Sequence, residues 1–471
     1  MYISHRPLNF SCCHSAQDET MGALRELIAK FKHYGAEIYL VGGCVRDALL
    51  GRPCHDFDLT TNLTPDEMLE MLEKEDPEGL WKIVSPGKNF GTLVFVRSKG
   101  AMTGNGGEES RKPGCSAGFE VTTFRAESGY EDHRKPSNVR FSESLEEDLK
   151  RRDFTINSFA YDLSESNLYM LDRSYLDDLH NRIVRAVGDP SERFEEDALR
   201  MLRAFRFACQ LNGDIDPATY KGIKENAEYL SKISTERIRD ELNKIVMSPA
   251  PEKIMLMKDS GLAIEGLGNL WKASNAHQIA SLMSLAGSDL AKRWAAFFYG
   301  LRLNVNPASE LSSANIAYDE YEKRVRLWMI DMKFDNRGVD LVQRILAYCD
   351  HMADDGISKK AIKRMLGERH EDEFMTAARI AASAMEFQNL PGAHRYGRIM
   401  EIARQAAENR EPVALGDLAV NGLDMLQIGL VGKQIGEALD NCLDLVLERP
   451  EANTKPFLLK HIQQRRNQSH A

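Results

Sequence analysis

Two acidic residues, Asp56 and Asp58, stand two positions apart in the stretch YLVGGCVRDALLGRPCHDFDLTT, which covers residues 39–61. Residues i and i+2 of a β-strand point to the same face, so the sequence predicts that both carboxylates converge on one point. Hard cations such as Mg²⁺ prefer oxygen ligands, and paired acids beside a substrate phosphate commonly hold them in proteins. An isolated Asp-x-Asp pair is more often a solvated strand end than a metal site.

The same stretch also contains residues suited to binding a phosphate. Gly42 and Gly43 follow an apolar strand and have no side chain, so a triphosphate could approach their backbone N–H groups closely. Arg46 lies one helical turn further on and could hold a phosphate oxygen. Together with the acid pair, these residues predict metal-assisted chemistry on a nucleotide.

A second stretch, LEEDLKRRDFTINSFAYD at residues 145–162, contains adjacent arginines. Its pattern predicts a helix that has Arg152 near its start and buries Phe154, Ile156 and Phe159. An arginine at such a position is usually a surface charge. Here, Arg-Arg-Asp before an apolar segment indicates a phosphate or ribose contact.

A third stretch, DPSERFEEDALRMLRAFRFA at residues 189–208, places Asp197 and Arg200 three apart, so that on a helix they share one face. Arg203 and Arg206 extend the same line. A carboxylate can accept from the amino group of cytosine or adenine while a guanidinium donates to the ring nitrogen, whereas uracil and guanine present the opposite polarity. The pair could select C and A without a template, and the alternative is an i, i+3 salt bridge.

Composition limits the class of protein. The 471 residues carry a net charge of −10, from 61 basic and 71 acidic side chains, which argues against indiscriminate nucleic-acid binding but allows a local basic groove. No apolar run approaches the roughly 18 residues that span a bilayer, and we see no secretion signal. The eight cysteines lack C-x-x-C spacing. We therefore predict a cytoplasmic protein without a membrane segment.

Several elements must position these residues. The segments IYLVGG, DFDLTT, GTLVFV and FEVTTF predict strands within residues 22–160. Residues 98–118 form a Gly-rich polar insert, for which we predict a mobile hairpin tip, and the polar residues 125–141 link the last strand to the next helix. After Glu146 the pattern is helical to the end of the chain.

The three motif stretches closely resemble the bacterial-type (class II) tRNA nucleotidyltransferases and their sister poly(A) polymerases, and the likeness continues through ISTERIRDELNKIV and residues 421–459. The resemblance implies an α+β fold, in which a polymerase-beta-like nucleotidyltransferase head with a small mixed sheet precedes an all-α neck, body and tail. We predict an N-terminal extension at residues 1–21 and the head at 22–160. The neck with nucleotide-recognition and RNA-binding helices would follow at 161–250, and the tRNA-binding body and tail at 251–471.

The resemblance also implies roles for the motif residues. Asp56 and Asp58 would hold Mg²⁺ in a two-metal site, and Glu120 in FEVTTF is the candidate third carboxylate that activates the 3′-hydroxyl of the RNA. The residues that would bind the incoming CTP or ATP are Gly42, Gly43, Arg46, Arg152, Asp197, Arg200, Arg203 and Arg206. The implied partner is tRNA, through its acceptor stem and 3′ end, and the implied assembly is a monomer or a homodimer.

Relatives with this fold add the whole CCA end, only part of it, or poly(A). The stretch SPGKNFGTLVFV resembles the Gly-Thr strand of the tRNA enzymes, and the sequence pI near 5.7 contrasts with the basic poly(A) polymerases. The stretch RAESGYEDHRKP resembles an intact flexible loop, which enzymes that stop after CC have shortened. We predict full CCA addition. An A-adding enzyme or a poly(A) polymerase is the alternative, and a non-catalytic RNA-binding protein is a remote one.

One departure concerns a phosphohydrolase domain that many bacterial relatives contain, with a His-Asp pair in a segment similar to RWAALLHDIGK. The matching segment here is RWAAFFYGLRLN at residues 293–304, with Tyr299 and Gly300 at those positions. Neither residue can replace the metal ligands, so we predict a degenerate region without phosphohydrolase activity. The alternative is a chance similarity between apolar helices.

Overall fold

A computed structural model describes most of the chain. The described residues are 1–11, 17–54, 56–87, 91–97, 118–131, 135–262, 275–303, 318–354, 356–367, 370–388 and 393–469. The chain divides into two compact units, the first comprising Met1–Glu241 with Leu256–Leu262, the second Leu242–Met255 with Ala263–Ala471. This division does not test the finer boundaries at residues 160 and 250, which stay predictions.

The first unit is built on a mixed sheet of eight strands. In spatial order these are β1 (Tyr2–His5), β10 (Asn167–Met170), β9 (Phe159–Asp162), β2 (Ile38–Val41), β3 (Asp58–Thr61), β6 (Gly118–Thr123), β5 (Thr92–Arg97) and β4 (Trp81–Gly87). Strands β3 and β6 run parallel, and every other neighbouring pair is antiparallel. The predicted α+β fold with a mixed head sheet is confirmed, and its four predicted strands lie side by side.

Helices and two small sheets complete this unit. The helices are α1 (Gln17–His33), α2 (Gly43–Leu49), α3 (Pro65–Glu75), α4 (Leu145–Lys150), α5 (Ser174–His180), α6 (Pro190–Glu196), α7 (Leu199–Leu211) and α8 (Pro217–Asn226), followed by α9 (Thr235–Val246), which continues into the second unit. The small sheets pair β7 (Arg125–Glu131) with β8 (Lys135–Phe141) and β11 (Ile183–Val184) with β12 (Asp214–Ile215). Short 3₁₀ turns lie at Thr155–Asn157, Ala227–Lys232 and Pro251–Asp259.

The core beneath the Gly-Gly turn explains why these elements form. All four residues of β2 are buried, as expected of a central strand with an uninterrupted apolar run. Tyr39 stacks on Phe124 with ring centroids 6.2 Å apart, and Leu145 and Leu149 of α4 join the same cluster. The sheet and α4 are therefore held to one another by packing.

The second unit is helical in its described residues. Its helices are α10 (Ala276–Leu285), α11 (Leu290–Leu303), α12 (Tyr318–Asp331), α13 (Asn336–His351), α14 (Lys359–Leu366), α15 (Glu371–Phe387), α16 (His394–Glu408), α17 (Gly422–Gln427), α18 (Lys433–Glu448) and α19 (Lys455–Ser469). Trp294 is fully buried and lies 5.4–5.6 Å, between ring centroids, from Phe297, Phe298, Trp328 and Phe334. No described helix is both long and apolar enough to cross a membrane.

The helix that we predicted to begin near Arg152 and to bury Phe154, Ile156 and Phe159 does not form. Helix α4 ends at Lys150, a 3₁₀ turn follows at Thr155–Asn157, and Phe159 begins β9. The prediction of an all-helical chain after Glu146 fails for the same reason. Phe154, Ile156 and Phe159 are buried as expected, but a buried run of alternating apolar residues satisfies a central strand as well as a helix.

The segment that suggested a degenerate phosphohydrolase region lies in α11. Tyr299 is buried, and the Arg302 guanidinium lies 4.8 Å from its ring centroid. A Cβ atom added at Gly300 would lie 2.9 Å from Ile279 Cγ1, so the position has no room for an aspartate without a shift of its neighbour. This packing supports the expected loss of a His-Asp pair, while the relationship itself stays a prediction.

Candidate active site

The carboxylates meet at one end of the central strands. Asp58 is the first residue of β3, and its register partners are Val41 on β2 and Glu120 on β6. Since residues in register on adjacent strands point to the same face, Asp58 and Glu120 lie side by side. Asp56 precedes the strand, so our placement of both acids on one strand is wrong, yet it lines the same cavity as Asp58. The convergence of the pair does not depend on strand geometry alone.

The surroundings of Asp58 favour the protonated form of its carboxyl group. The side chain is open to the cavity, but burial on its other sides, then the neighbouring Glu120 and Asp56 carboxylates, raise its pKa from 3.8 to about 6. Arg152 opposes this shift. An acid whose pKa is raised by like charges is stabilised in its ionised form when a cation binds beside it.

Mg²⁺ is compatible with this set of donors. In the part of the chain that the structure describes, no three acidic, histidine or cysteine side chains form a ready-made metal site. Mg²⁺ does not require one, because it is usually held by one or two carboxylates together with substrate phosphates and water. Asp58 and Asp56 offer two carboxylates, and the cavity beside them has space for phosphates.

The Gly-Gly turn connects β2 to α2. Gly42 has a φ of 70°, a conformation that favours glycine, and a Cβ atom there would lie 3.4 Å from Arg152 Nη1. Arg46 points back from α2, where its Nη1 donates to Asn157 Oδ1 at 2.9 Å and its Nε donates to Asp47 at the same distance. The side chains of Arg46 and Arg152 thus lie close to backbone that carries no side chain.

Arg151 and Arg152 share a carboxylate that the sequence motifs did not bring to our attention. Asp148 is fully buried, accepts from Arg151 Nε at 3.0 Å and accepts from Arg152 Nη2 at 2.8 Å. Although burial opposes ionisation, these two guanidinium groups lower the pKa of Asp148 to about 2. The signal was present in the sequence, because Asp148 stands three and four residues before the arginines at helical spacing.

Asp153 is the second acid that we missed. Its Oδ2 accepts from Arg203 Nε at 2.8 Å, and its Oδ1 accepts from Asn157 Nδ2 at 3.2 Å. Burial opposes the charge, but Arg203 lowers the pKa of this carboxyl well below its usual range. Since Asn157 also contacts Arg46, the network fixes arginines from α2 and α7 relative to each other.

Arg206 lies next along α7. Its Nη1 donates to Glu241 at 3.3 Å, and its guanidinium lies 4.2 Å from the Phe207 ring centroid. Burial, then the charge of Arg203, lower the pKa of Arg206 to about 10 against the effect of Glu241. A guanidinium group with a pKa of about 10 keeps its proton at neutral pH, so Arg206 remains a cation.

The predicted base-reading pair is arranged differently from the sequence expectation. Asp197 does not share a helix face with Arg200, because α6 ends before it and α7 begins two residues later. Its Oδ2 accepts from Arg237 Nη2 at 2.9 Å, whereas Arg200 Nη1 donates to Glu196 at 2.5 Å. The i, i+3 salt bridge is not among the described contacts of the two side chains. Separate partners hold the acid and the guanidinium.

Two adjoining cavities contain these side chains. The first, of about 390 Å³, lies over the Gly-Gly turn and includes Arg46, Arg206 and both aspartates. The second, of about 370 Å³, is lined by six arginines and four carboxylates: Arg125, Arg151, Arg152, Arg200, Arg203, Arg237, Asp58, Glu120, Asp153 and Asp197. Asp58 and Arg152 border both cavities. All of the predicted site residues therefore line one or other of two cavities that meet at Asp58. The second cavity has more arginines than carboxylates, although the chain as a whole is acidic.

The structure describes only part of the two polar segments at residues 98–118 and 125–141. Residues 125–131 and 135–141 form the antiparallel pair β7 and β8, where we expected a loop. Within the loop segment RAESGYEDHRKP, residues 125–136, Asp132 and Arg134 lie outside the described residues, as does the insert at 98–117. Arg125 lines the second cavity, which brings the start of the hairpin to the site.

Comparisons with known proteins match this chain over most of its length. Residues 38–185 match the family described as "Poly A polymerase head domain", and residues 214–265 match "Probable RNA and SrmB- binding site of polymerase A". A crystal structure of the Bacillus stearothermophilus CCA-adding enzyme in complex with CTP is 27% identical, with a TM-score of 0.69, and covers 95% of this chain and 99% of that chain. The Thermotoga maritima CCA-adding enzyme complexed with tRNA shares the fold, with a TM-score of 0.61 at 18% identity over 96% of each chain.

Curated relatives extend the match along the sequence. The CCA-adding enzyme of Streptococcus gordonii is 37% identical over 322 residues, which cover 67% of this chain and 69% of that enzyme. The CCA-adding enzyme of Limosilactobacillus fermentum is 31% identical over 439 residues, or 93% of this chain and 95% of that enzyme. Because this similarity spans almost the full length of both proteins, the chain belongs to the family of CCA-adding enzymes.

Proposed function

We propose that this chain, a tRNA nucleotidyltransferase, adds the 3′-terminal CCA to tRNA from CTP and ATP with release of pyrophosphate, and that Asp56, Asp58 and Glu120 form its reaction centre. The observation that supports these residues is the register of Asp58 with Glu120 at the border between two arginine-lined cavities. The raised pKa of Asp58 is the second support, since it indicates a group arranged for a cation.

The first cavity would hold the triphosphate. The backbone N–H group of Gly43, together with Arg46 and Arg152, offers donors to its oxygens, whereas the Gly42 N–H already donates to the Phe159 carbonyl at 3.4 Å. Mg²⁺ held by Asp56 and Asp58 would lower the pKa of the attacking 3′-hydroxyl and stabilise the leaving pyrophosphate. Glu120, which lines the second cavity, would accept the proton of that hydroxyl. The remaining task of the protein is in-line positioning and charge neutralisation, which fixed arginines perform without reorganisation.

Base selection would fall to Asp197 and Arg200 in the second cavity. Arg237 orients the Asp197 carboxylate, while Glu196 and the Arg151 carbonyl orient the Arg200 guanidinium, whose Nη2 donates to that carbonyl at 3.1 Å. A carboxylate and a guanidinium with fixed orientations match the polarity of cytosine and adenine and oppose that of uracil and guanine. The protein itself would then replace a nucleic-acid template.

Asp197→Ala is expected to reduce discrimination against UTP and GTP more than it weakens triphosphate binding. Loss of one buried polar partner costs about 1–3 kcal/mol, so misincorporation should rise roughly ten- to a hundredfold. The rise would be measured by sequencing tRNA extended with each nucleotide alone. Glu195→Ala, at an exposed position of α6, is the control and should leave fidelity unchanged. Equal fidelity in both variants would contradict the base-reading role.

The proposed function is tested by incubating the protein with tRNA that lacks its 3′ end. CTP alone should give CC, and CTP with ATP should give CCA. Sequencing of the products distinguishes the alternatives, because an A-adding enzyme would extend only tRNA that already ends in CC and a poly(A) polymerase would add a run of A. Failure of every extension would favour an RNA-binding protein without catalysis.

Shortening the polar segment 125–136 is expected to leave CC addition largely intact and to impair the final A selectively. A site that accepts C first and A last must change shape between steps, and Arg125 brings this segment to the second cavity. Rates of each addition would be measured on tRNA ending before C, before the second C and before A. Trimming the insert at residues 98–118 is the control. Equal slowing of C and A addition, or loss of A addition in the control, would exclude the segment as the switch.

We also place this activity in the cytoplasm. The cysteines among the described residues are all buried, namely Cys44, Cys54, Cys209, Cys349 and Cys442. Buried cysteines without a disulfide framework are typical of reducing compartments.

A further inference from the structure

The first eleven residues are part of the head and contact the segment that carries the acid pair. Strand β1 pairs with β10 at the edge of the sheet, and Phe10, five residues after the strand, is 4% exposed. The Phe10 ring lies 6.4 Å from that of Phe57 and 5.3 Å from that of Tyr161, measured between centroids. Phe57 is the residue between Asp56 and Asp58. The side chain that separates the two acids is therefore packed against the N-terminal segment.

Hydrogen bonds hold the same segment in place. Cys54 donates its backbone N–H to the Ser11 carbonyl at 2.7 Å, just before the acid pair. The Tyr161 hydroxyl donates to the Arg6 carbonyl and accepts from the Leu8 N–H, both at 3.1 Å. Phe10 is therefore fixed on both sides along the chain. A fixed aromatic ring can determine where its neighbour lies, because close-packed interiors transmit small displacements.

A second contact extends this support to the Gly-Gly turn. The Cys54 thiol donates to the Cys44 carbonyl at 3.3 Å, and Cys44 lies in the first turn of α2, next to Gly43. The N-terminal segment is thus linked through Cys54 to the acid pair and to the Gly-Gly turn, both of which line the first cavity.

We propose that residues 6–11 position the acid pair for catalysis, with Phe10 as a positioning residue that acts through Phe57. This inference rests on the proposed catalytic role of Asp56 and Asp58. Since Phe57 is 5% exposed and is not among the residues that line the cavity beside both acids, its packing fixes the position of the backbone between the two carboxylates. Misplacement of a reacting group by about 1 Å can lower the rate about a hundredfold, so loss of this packing should affect turnover more than substrate binding.

The test compares Phe10→Ala and Phe10→Leu in the full chain with Phe31→Ala. Phe31 is equally buried in the head but packs against Phe95, with centroids 5.6 Å apart, away from the acids. Phe10→Ala should lower kcat for C and A addition about ten- to a hundredfold, with KM for CTP and ATP changed less than about twofold. Phe31→Ala should lower the melting temperature similarly but leave kcat within about twofold below that temperature. Phe10→Leu, which keeps part of the apolar contact with Phe57, should lower kcat measurably but less than Phe10→Ala does.

A readout independent of activity is the binding of Mn²⁺ to the protein with CTP, followed by electron paramagnetic resonance. Phe10→Ala should weaken this binding several-fold, whereas Phe31→Ala should not change it. If Phe10→Ala does not fold, the cycle of Phe10→Leu, Phe57→Leu and the double variant replaces it. Effects on kcat that do not add would show that Phe10 acts through Phe57.

Two results would overturn the inference. Turnover and Mn²⁺ binding of Phe10→Ala equal to those of Phe31→Ala would leave Phe10 as an ordinary core residue. Additive effects in the Phe10 and Phe57 cycle would show that the two rings act separately. CCA addition by the unchanged protein in the same assay distinguishes either result from a failure of the proposed function.

Discussion

Replacing Asp58 with asparagine is expected to abolish CCA addition and, in metal-free buffer at pH 7, to raise the melting temperature of the protein. Metal ions and fixed charges supply several kcal/mol of transition-state stabilisation, so losing one metal ligand should slow turnover about a thousandfold or more. Asparagine has nearly the same shape as aspartate. The change therefore removes a charge without opening a cavity.

The gain in stability follows from the direction of the pKa shift. Burial, then the charges of Glu120 and Asp56, raise the pKa of Asp58 from 3.8 in the unfolded chain to about 6 in the folded protein. The folded state then binds the proton more tightly, so the free energy of unfolding decreases as the pH rises from about 4 to about 6. At pH 7 Asp58 is ionised in the wild type, so the destabilisation caused by its buried charge beside two other acids is fully present. Asparagine removes that destabilisation. Below about pH 4 the two proteins should be equally stable.

Thermal unfolding from pH 4 to pH 7, with and without Mg²⁺, measures both effects. Mg²⁺ together with CTP should raise the melting temperature of the wild type and should have much less effect on Asp58→Asn. Glu70→Gln is a suitable control, because Glu70 forms an exposed i, i+4 pair with Lys74 that contributes little to stability. Near-normal turnover in Asp58→Asn, or an unchanged Mg²⁺ response, would rule out Asp58 as a metal ligand.

The parts of the site that sequence could predict are those in which the chemistry is local. The Gly-Gly turn and the strand that contains Glu120 each lie within a short stretch and form as expected, and Asp56 and Asp58 line one cavity although Asp56 lies outside the strand. The alignment of Glu120 with Asp58 could not be predicted from spacing, because it depends on the parallel pairing of β3 with β6 across 62 residues. Register between distant strands is set by tertiary packing, which no local pattern contains.

The errors have a common physical origin. Phe154, Ile156 and Phe159 are buried in a turn and a central strand, where apolar content alone does not distinguish a strand from a helix. Asp197 satisfies helical spacing to Arg200 but lies in the break between α6 and α7, and its partner Arg237 is 40 residues away. Predictions from local spacing failed at the junction of these two helices. Departures from local sequence rules are expected at functional sites.

Asp148→Ala is expected to be the most destabilising single change at the site. The carboxylate is fully buried and is shared by Arg151 and Arg152, so its removal leaves two guanidinium groups without their common acceptor. Breaking a buried ion pair by removing one partner costs about 3–5 kcal/mol, because the remaining charge stays desolvated. Arg152 also lies next to Gly42, so we expect KM for CTP and ATP to rise about tenfold even where the variant is folded.

The pH dependence of this variant distinguishes an ionic role from simple packing. The two arginines lower the pKa of Asp148 to about 2, although burial opposes them, against 3.8 in the unfolded chain. Its electrostatic contribution is therefore complete above about pH 4 and is lost as the pH falls towards 2, so the stability gap between wild type and variant should narrow in that range.

Denaturant unfolding at several pH values measures the gap between the two proteins. Glu146→Ala is the matched control on the same helix, since the exposed pair of Glu146 with Lys150 should contribute little to stability. A gap for Asp148→Ala as small as that of Glu146→Ala, with KM unchanged, would mean that the arginines keep their positions without Asp148. A large difference in the free energy of unfolding that does not vary with pH would assign the effect to the cavity left by the side chain. Only an ionised Asp148 carboxylate makes this difference depend on pH.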